Sequence, residues 1–251
     1  MGFLRDAGHG YDEFGATDAA LERVRPALEF LHDVYFRVTA HDVHHVPEAG
    51  GVVVVSNHSG TLPFDGAMIA ANILFERERL IRPVADRFLP NLPFFGTWLT
   101  RIGAVTGSRG NVRYLLERGE GILIFPEGTQ GIGKAFSQRY QLQAWRVGHA
   151  ELAIQNGVPV VPVAVIGAEE QMPQLARITA GAKWVGAPYF PVTLTPLPLP
   201  VRYHLHYGEP IDLSAYDADD SRSLAAAAAL VRSRVEGLIA DGLRRRRGTF
   251  V

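Results

Sequence analysis

A histidine and an aspartate seven positions apart, His58 and Asp65, follow directly on the four valines of "VVVVSNHSGTLPFDG". An imidazole braced by a carboxylate can take a proton from a hydroxyl, because the carboxylate fixes one ring tautomer and raises the basicity of the other nitrogen. Inside one regular helix the two residues would lie about 10.5 Å apart along the axis, too far for a hydrogen bond. Pro63 offers another geometry, since proline favours the first helical turn and holds Leu62 extended. A helix beginning near Pro63 places Asp65 in its first turn, where the helix dipole stabilises a carboxylate, and a loop through Gly60 can fold His58 back alongside. The plainer alternative is a turn in which Asn57, His58 and Ser59 bond to nearby backbone while Asp65 caps its own helix. Position weighs toward chemistry, because functional side chains in α/β sheets gather at the carboxyl ends of strands.

The elements that must hold such a pair are legible around it. "GGVVVVSN" reads as a buried strand, short and β-branched between glycines and turn residues. "FDGAMIAANILFERERL" continues as a helix with an apolar stripe. Upstream, Asp18 to Val38 place Leu21, Val24, Leu28, Leu31, Val34 and Tyr35 at helical spacing, with Asp18 as N-cap and Pro26 as a point of kinking. "GILIFPEG" is a second buried strand. "SQRYQLQAWRVGHAELAIQNG" reads as a helix stopped at Asn156-Gly157. "VPVVPVAVIG" is a third strand, whose two prolines call for an edge position or an irregular pairing. "VRYHLHYGEPI" is a fourth, and "DDSRSLAAAAALVRSRVEGLIADGL" a closing helix in which Ala225 to Ala229 express helix propensity. Strands alternating with helices argue for an α/β layer architecture.

Composition narrows the partners. The 251 residues suit one sizeable core, and 25 basic against 26 acidic residues leave a formal charge of −1 and no field to attract nucleic acid. The absence of cysteine excludes disulfides, thiolate nucleophiles and Cys-type zinc sites, and fits a reducing, cytoplasmic setting. No apolar run approaches the roughly 18 residues of a spanning helix, so a place on a membrane, rather than across it, is the expectation. The terminal Arg244 to Arg247 read as a solvated tail, with a lipid-headgroup contact as the alternative.

Three further segments, "GAVTGSR", "LIFPEGTQGIGK" and "NGVPVVPVAVIGAEE", follow "SNHSG" in an order that resembles the glycerolipid acyltransferase family, which includes the 1-acylglycerol-3-phosphate acyltransferases. The first block corresponds to Asn57, His58 and Asp65, and the second to Gly103 and Arg109. The third is intact at Phe125, Pro126, Glu127, Gly128 and Thr129, and the fourth is a valine-rich strand around Pro162. The resemblance runs from about Val46 to Pro210 and takes in "LPNLPFFGTWLTRIG". It implies an α/β fold with a mixed, largely parallel central sheet flanked by helices: a single domain of residues 1–251, with an N-terminal helical segment (1–40), a catalytic core (41–213) and a C-terminal helix with basic tail (214–251). Most members of the family place four residues between the His and the Asp. The six here, "SGTLPF", together with "APYFPVTLTPLPLPVRY", look like the branch acting on neutral mono- and diacylglycerols. Gln130 stands where phosphate-using members usually carry Arg.

The activity implied is transfer of an acyl group from acyl-CoA or acyl-carrier protein to a lysophospholipid such as 1-acylglycerol-3-phosphate, with a neutral glyceride or other alcohol as the alternative acceptor. Attack is direct, with no acyl-enzyme and no cofactor. His58 is then the base and Asp65 its orienting carboxylate, while Asn57, Gly103, Pro126 and Pro162 shape the site. Arg109 suits an acceptor phosphate because guanidinium binds phosphate oxygens as a fork. Glu127, Gly128 and Thr129 are expected to meet the acceptor, with Lys134 in place of the charge missing at Gln130. Phe88, Leu89, Leu92, Phe94, Phe95 and Trp98, or the N-terminal helix, are the segments expected to enter a bilayer surface. Two rival readings compete: a lipid-binding protein without catalysis, and a phosphate loop at "GTQGIGKA", which lacks the magnesium-binding Ser or Thr at Ala135. "HDVHH" reads as a solvated strand rather than a metal site. His149, His204 and His206 have no assigned partner.

Overall fold

The computed structural model describes residues 3–59, 62–86, 94–182 and 189–250. Its frame is a seven-stranded sheet in the order β1-β9-β6-β2-β5-β3-β4, built from Thr39–His41 (β1), Val52–Ser56 (β2), Ile81–Ala85 (β3), Val105–Thr106 (β4), Gly121–Ile124 (β5), Val160–Ile166 (β6) and His204–Tyr207 (β9). Every neighbouring pair is parallel except β6 with β9. Gln174–Ile178 (β7) and Phe190–Thr193 (β8) form a separate antiparallel hairpin. The chain passes from β5 to β6 across β2, so the loops leaving β2 and β5 open at the same end of the sheet, where strand order switches.

Helices cover both faces, which explains why β2 runs four valines in succession rather than alternating. Val52 and Val54 pack with Met68, Ile69 and Ile73 of α2 (Phe64–Arg77), and with Phe36, Tyr203 and Tyr207. Val53 and Val55 face Leu115 and Leu116 of α4 (Arg109–Glu117), Ala150 and Ala153 of α6 (Gly148–Asn156), and Ala227 and Val231 of α8 (Ser221–Arg245). All four valines are fully buried, each contributing on the order of 1.5–3 kcal/mol. The alanine run of α8 does more than favour helix, because Ala227 and Ala228 are buried where the helix crosses the sheet.

Several expectations need correction. α1 (Asp18–Glu29) is capped by Thr17, whose side chain accepts the Ala20 N–H, while Asp18 instead receives the Phe3 amide at 3.0 Å. Beyond Glu29 the helix widens into a π turn, Phe30–Tyr35. β6 lies in the middle of the sheet, not at its edge. Pro162 is tolerated there because the β6–β9 ladder is interrupted beside it, between the Val160–Ile211 bridge and the Val163–Tyr207 pair, and its carbonyl accepts the Gly208 N–H at 2.8 Å. "HDVHH" is a strand only to His41, after which Asp42 turns left-handed and Val43–His45 form a 3₁₀ turn. No group of metal-ligating side chains forms among the described residues.

The helix expected over 137–157 exists only as α6. Ahead of it the backbone amides are claimed elsewhere: Tyr140 N–H by Glu169, Gln143 N–H by Glu127 and Arg146 N–H by the Pro126 carbonyl. Nor is the arginine run wholly a solvated tail, since Arg246 turns inward onto Glu170 and the Tyr140 hydroxyl.

Candidate active site

At the carboxyl end of β2 the chain leaves the sheet at Asn57, whose side-chain amide donates to the Val165 carbonyl (3.0 Å) and accepts the Val165 N–H (2.8 Å). This mimics one more residue of strand pairing and frees the next residue to point away. His58 does so. α2 starts at Phe64 behind Pro63, and Asp65 lies in its first turn, fully buried.

The imidazole Nδ1 meets Asp65 Oδ2 at 2.6 Å. The same oxygen accepts the Ser59 N–H at 2.8 Å, and Oδ1 accepts the Gly66 N–H at 2.7 Å. An ionised carboxylate can only accept, so with Asp65 ionised Nδ1 is the donor of this contact and, in a neutral ring, Nε2 is the nitrogen left to accept. The Phe125 ring stacks on His58 with centroids 4.1 Å apart and planes 18° from parallel, which limits rotation of the imidazole. Residues 60–61, including Gly60 of the connecting loop, lie outside the described residues.

The third block supports this pair from behind. Glu127, which follows β5, accepts the His58 N–H at Oε1 (2.9 Å) and the Gln143 N–H at Oε2 (2.7 Å), with Lys134 Nζ 3.4 Å from Oε2. Lys134 also reaches Glu169 at 3.1 Å and donates to the Gln141 carbonyl. Burial pushes the Glu169 carboxyl up to about 7, although Lys134 and the Tyr140 amide pull it back. Glu127 and Lys134, expected from the sequence to meet the acceptor, are both buried and bonded to groups of the protein itself. These contacts tie the segment after β5 to the backbone of His58. The same arrangement removes the phosphate-loop reading, because the lysine that would grip a nucleotide is held between two carboxylates.

Gly128 has φ +54° and ψ −142°, a conformation open to glycine alone, and it starts the short helix α5, Thr129–Ile132. Arg109 opens α4 with its side chain 77% exposed and paired to Glu151 at 2.8 Å. Gly103, at φ +101°, packs against Arg82, and its carbonyl accepts Arg82 Nε at 2.5 Å. The structure therefore brings together Asn57, His58, Asp65, Phe125 and Glu127, whereas Arg109 is tied to a separate partner. Phe88, Leu89 and Leu92 lie outside the described residues.

Two neighbours of the site escaped the sequence reading. Gly131 packs so closely that a Cβ there would lie 2.8 Å from His58 Cβ and 2.9 Å from Glu127 Cβ; the regular glycines of "GTQGIG" were the available signal. Arg146 brings its guanidinium to 3.7 Å from the Cβ direction of Gly128 and has no ion pair among the described residues. Nothing in its local sequence announced that.

A family model described as Acyltransferase matches residues 37–166. An uncharacterized protein of Mycobacterium tuberculosis is 37% identical over 239 residues, covering 87% of this chain and 66% of that one. The DGAT1/2-independent enzyme synthesizing storage lipids of Bos taurus is 26% identical over 197 residues, covering 77% of this chain and 58% of that one. The chain thus spans between 58% and 66% of the length of these relatives. Among solved structures, the 1-acyl-sn-glycerophosphate acyltransferase of Thermotoga maritima matches in fold, with TM-score 0.59 at 19% identity over 92% of this chain and 84% of that chain.

Proposed function

The chain belongs to the glycerolipid acyltransferase family, and from that premise we propose that it moves a fatty acyl group from acyl-CoA or acyl-carrier protein to the hydroxyl of a lysophospholipid such as 1-acylglycerol-3-phosphate. The observation that carries the reading is the 2.6 Å contact of His58 Nδ1 with a fully buried Asp65. His58 Nε2 takes the acceptor's hydroxyl proton as its oxygen attacks the thioester carbonyl. The tetrahedral adduct then collapses, the C–S bond breaks, and the departing thiolate takes the proton back from His58. Positioned proton transfer of this kind is worth roughly 10²–10⁴-fold. A chain without cysteine accords with direct transfer.

The acceptor's phosphate finds its best support in Arg146 beside Gly128. A second reading, a neutral glyceride, draws on Gln130 and on the commitment of Arg109 and Lys134 to carboxylates. Peripheral attachment to a lipid surface is supported by the β7–β8 hairpin, where Leu175, Ile178, Phe190 and Val192 are exposed, as are Leu194 and Leu197 beyond it. Its root touches the site, with Gln174 Nε2 donating to the Gly133 carbonyl at 3.0 Å, and no acidic residue occurs between Glu170 and Glu209. Phe94, Phe95 and Trp98 add a second exposed apolar group. Among the described residues no helix is long and apolar enough to cross a membrane.

The deciding experiment is a panel of phosphate-bearing and neutral acceptors assayed with wild type and with His58→Ala, Arg109→Ala and Arg146→Ala. His58→Ala should abolish turnover on every acceptor; retained turnover overturns the assignment of the base. Loss confined to phosphate-bearing acceptors in Arg146→Ala or Arg109→Ala supports the lysophospholipid, and indifference to both supports the glyceride.

A further inference from the structure

Away from the acyl-transfer site, cationic side chains converge at the free edge of the sheet. The edge strand β1 contributes His41, and its neighbour β9 contributes His204 and His206. Arg202 comes from just before β9, and Arg245, Arg246 and Arg247 from the end of α8 and the residues after it. With Thr39 and Gly242 these residues line a cleft of about 320 Å³. Gly242 makes the approach possible, because a Cβ there would fall 2.2 Å from Ile166 Cδ1 and 2.7 Å from His206 Nε2. α8 consequently lies directly on β9 and delivers its last arginines to the opening. The His41 and His206 rings stack at 4.5 Å, 13° from parallel, forming one wall.

Among the described residues the cluster has fewer counterions than cations. Of its four arginines, Arg246 is paired with a carboxylate, that of Glu170, and Arg202, Arg245 and Arg247 have no ion pair among the described residues. Arg202 Nε and His204 Nε2 are buried without a hydrogen-bond partner among the described residues. Like charges held together over unpaired polar atoms are unfavourable unless an anion joins them. The histidines register this surplus. Burial and the charges of Arg246, His41 and Arg202 hold His204 down at about 4. Burial, His41, His204 and Arg245 do the same for His206, against the opposing pull of Asp42. Guanidinium groups match phosphate oxygens as forks, and an excess of roughly three positive charges suits a polyvalent anion better than a single carboxylate.

We propose that this cleft is a second ligand site, taking a phosphate group, free or esterified, between Arg202, Arg245 and Arg247, with the unpartnered nitrogen of His204 as a further donor. It shares no residue with the His58 site and stands whether or not the acyl-transfer reading does.

The test uses the full chain and the double variant Arg245→Gln/Arg247→Gln, whose altered side chains are exposed. Titration calorimetry is run with inorganic pyrophosphate and with CoA. Flotation is run with phosphatidylcholine vesicles, with and without phosphatidic acid. Binding that weakens with salt, falls about tenfold or more in the variant, and moves the His204 and His206 ring signals toward the protonated form supports the site. Pyrophosphate as the preferred probe then identifies a soluble phosphate, CoA the donor's phosphates, and capture confined to phosphatidic acid vesicles a lipid headgroup. No binding of any probe, or binding that the variant leaves unchanged, overturns the proposal.

Discussion

Replacing Gly131 with alanine tests whether the position of the base is set by the loop behind it. The new Cβ would stand 2.8 Å from His58 Cβ, 2.9 Å from Glu127 Cβ and 3.0 Å from the His58 carbonyl oxygen. Carbon atoms rest about 3.5–4.0 Å apart, so His58 has to retreat by roughly 0.7 Å or more. None of the three atoms is the far end of a flexible chain, and Glu127 is itself held by the Gln143 amide and Lys134. A misplacement near 1 Å costs about 10²-fold in rate, and the strain should cost about 1–3 kcal/mol of stability. Release of CoA thiol is a clean assay, since the chain has no cysteine to react with the thiol reagent. The expected outcome is a fall in kcat of about 100-fold with KM little altered, while Gly110→Ala, which meets nothing within 4 Å, behaves as wild type. A folded Gly131→Ala enzyme with unchanged kcat would refute the reasoning.

Three other outcomes follow from the same contacts. Lys134→Met leaves Glu127 and Glu169 buried without their cation and should lose about 3–5 kcal/mol in urea unfolding, whereas a substrate-binding lysine would alter KM at constant stability. His149 is held down at about 4, chiefly by burial, so it binds its proton less readily folded than unfolded. Its contribution is complete above pH 6.5 and is lost as pH falls toward 4. His149→Gln should flatten that part of the stability profile by about 3 kcal/mol. Gly237→Ala, on the exposed side of α8 with nothing within 4 Å of the added methyl, should raise stability by about 0.5–1 kcal/mol in thermal unfolding.

What could be read from the sequence was mostly local. The strand at Val52–Ser56, the helix start at Pro63 and the return of His58 onto Asp65 depend on residues within one short stretch, and proline and valine carry strong conformational preferences there. The contact of Glu127 with the His58 amide joins positions 69 residues apart, and no spacing rule reveals it. The same distance effect misled the reading of 137–147, where a helical pattern exists but buried carboxylates take the amides a helix would need. Proline at 162 pointed to irregular pairing, which the β6–β9 interruption provides, yet its central position depended on strand order that no local signal encodes. β3 interrupts its apolar residues with Arg82 and Pro83, β4 is only two residues long, and the β7–β8 hairpin is largely exposed and shows no buried alternation, so neither an apolar run nor a period marks them.

The amide of Asn57 acts as a counterfeit peptide unit, bonded to both polar groups of Val165 at the middle of the sheet. Aspartate in its place would lose the donor and leucine both bonds, so few substitutions could keep the splice. The backbone just before His58 is thereby pinned to the middle of the sheet. If His58 is the base proposed above, any stimulation of turnover by a bilayer has to come from delivery of the two lipids rather than from movement of the backbone that carries the imidazole.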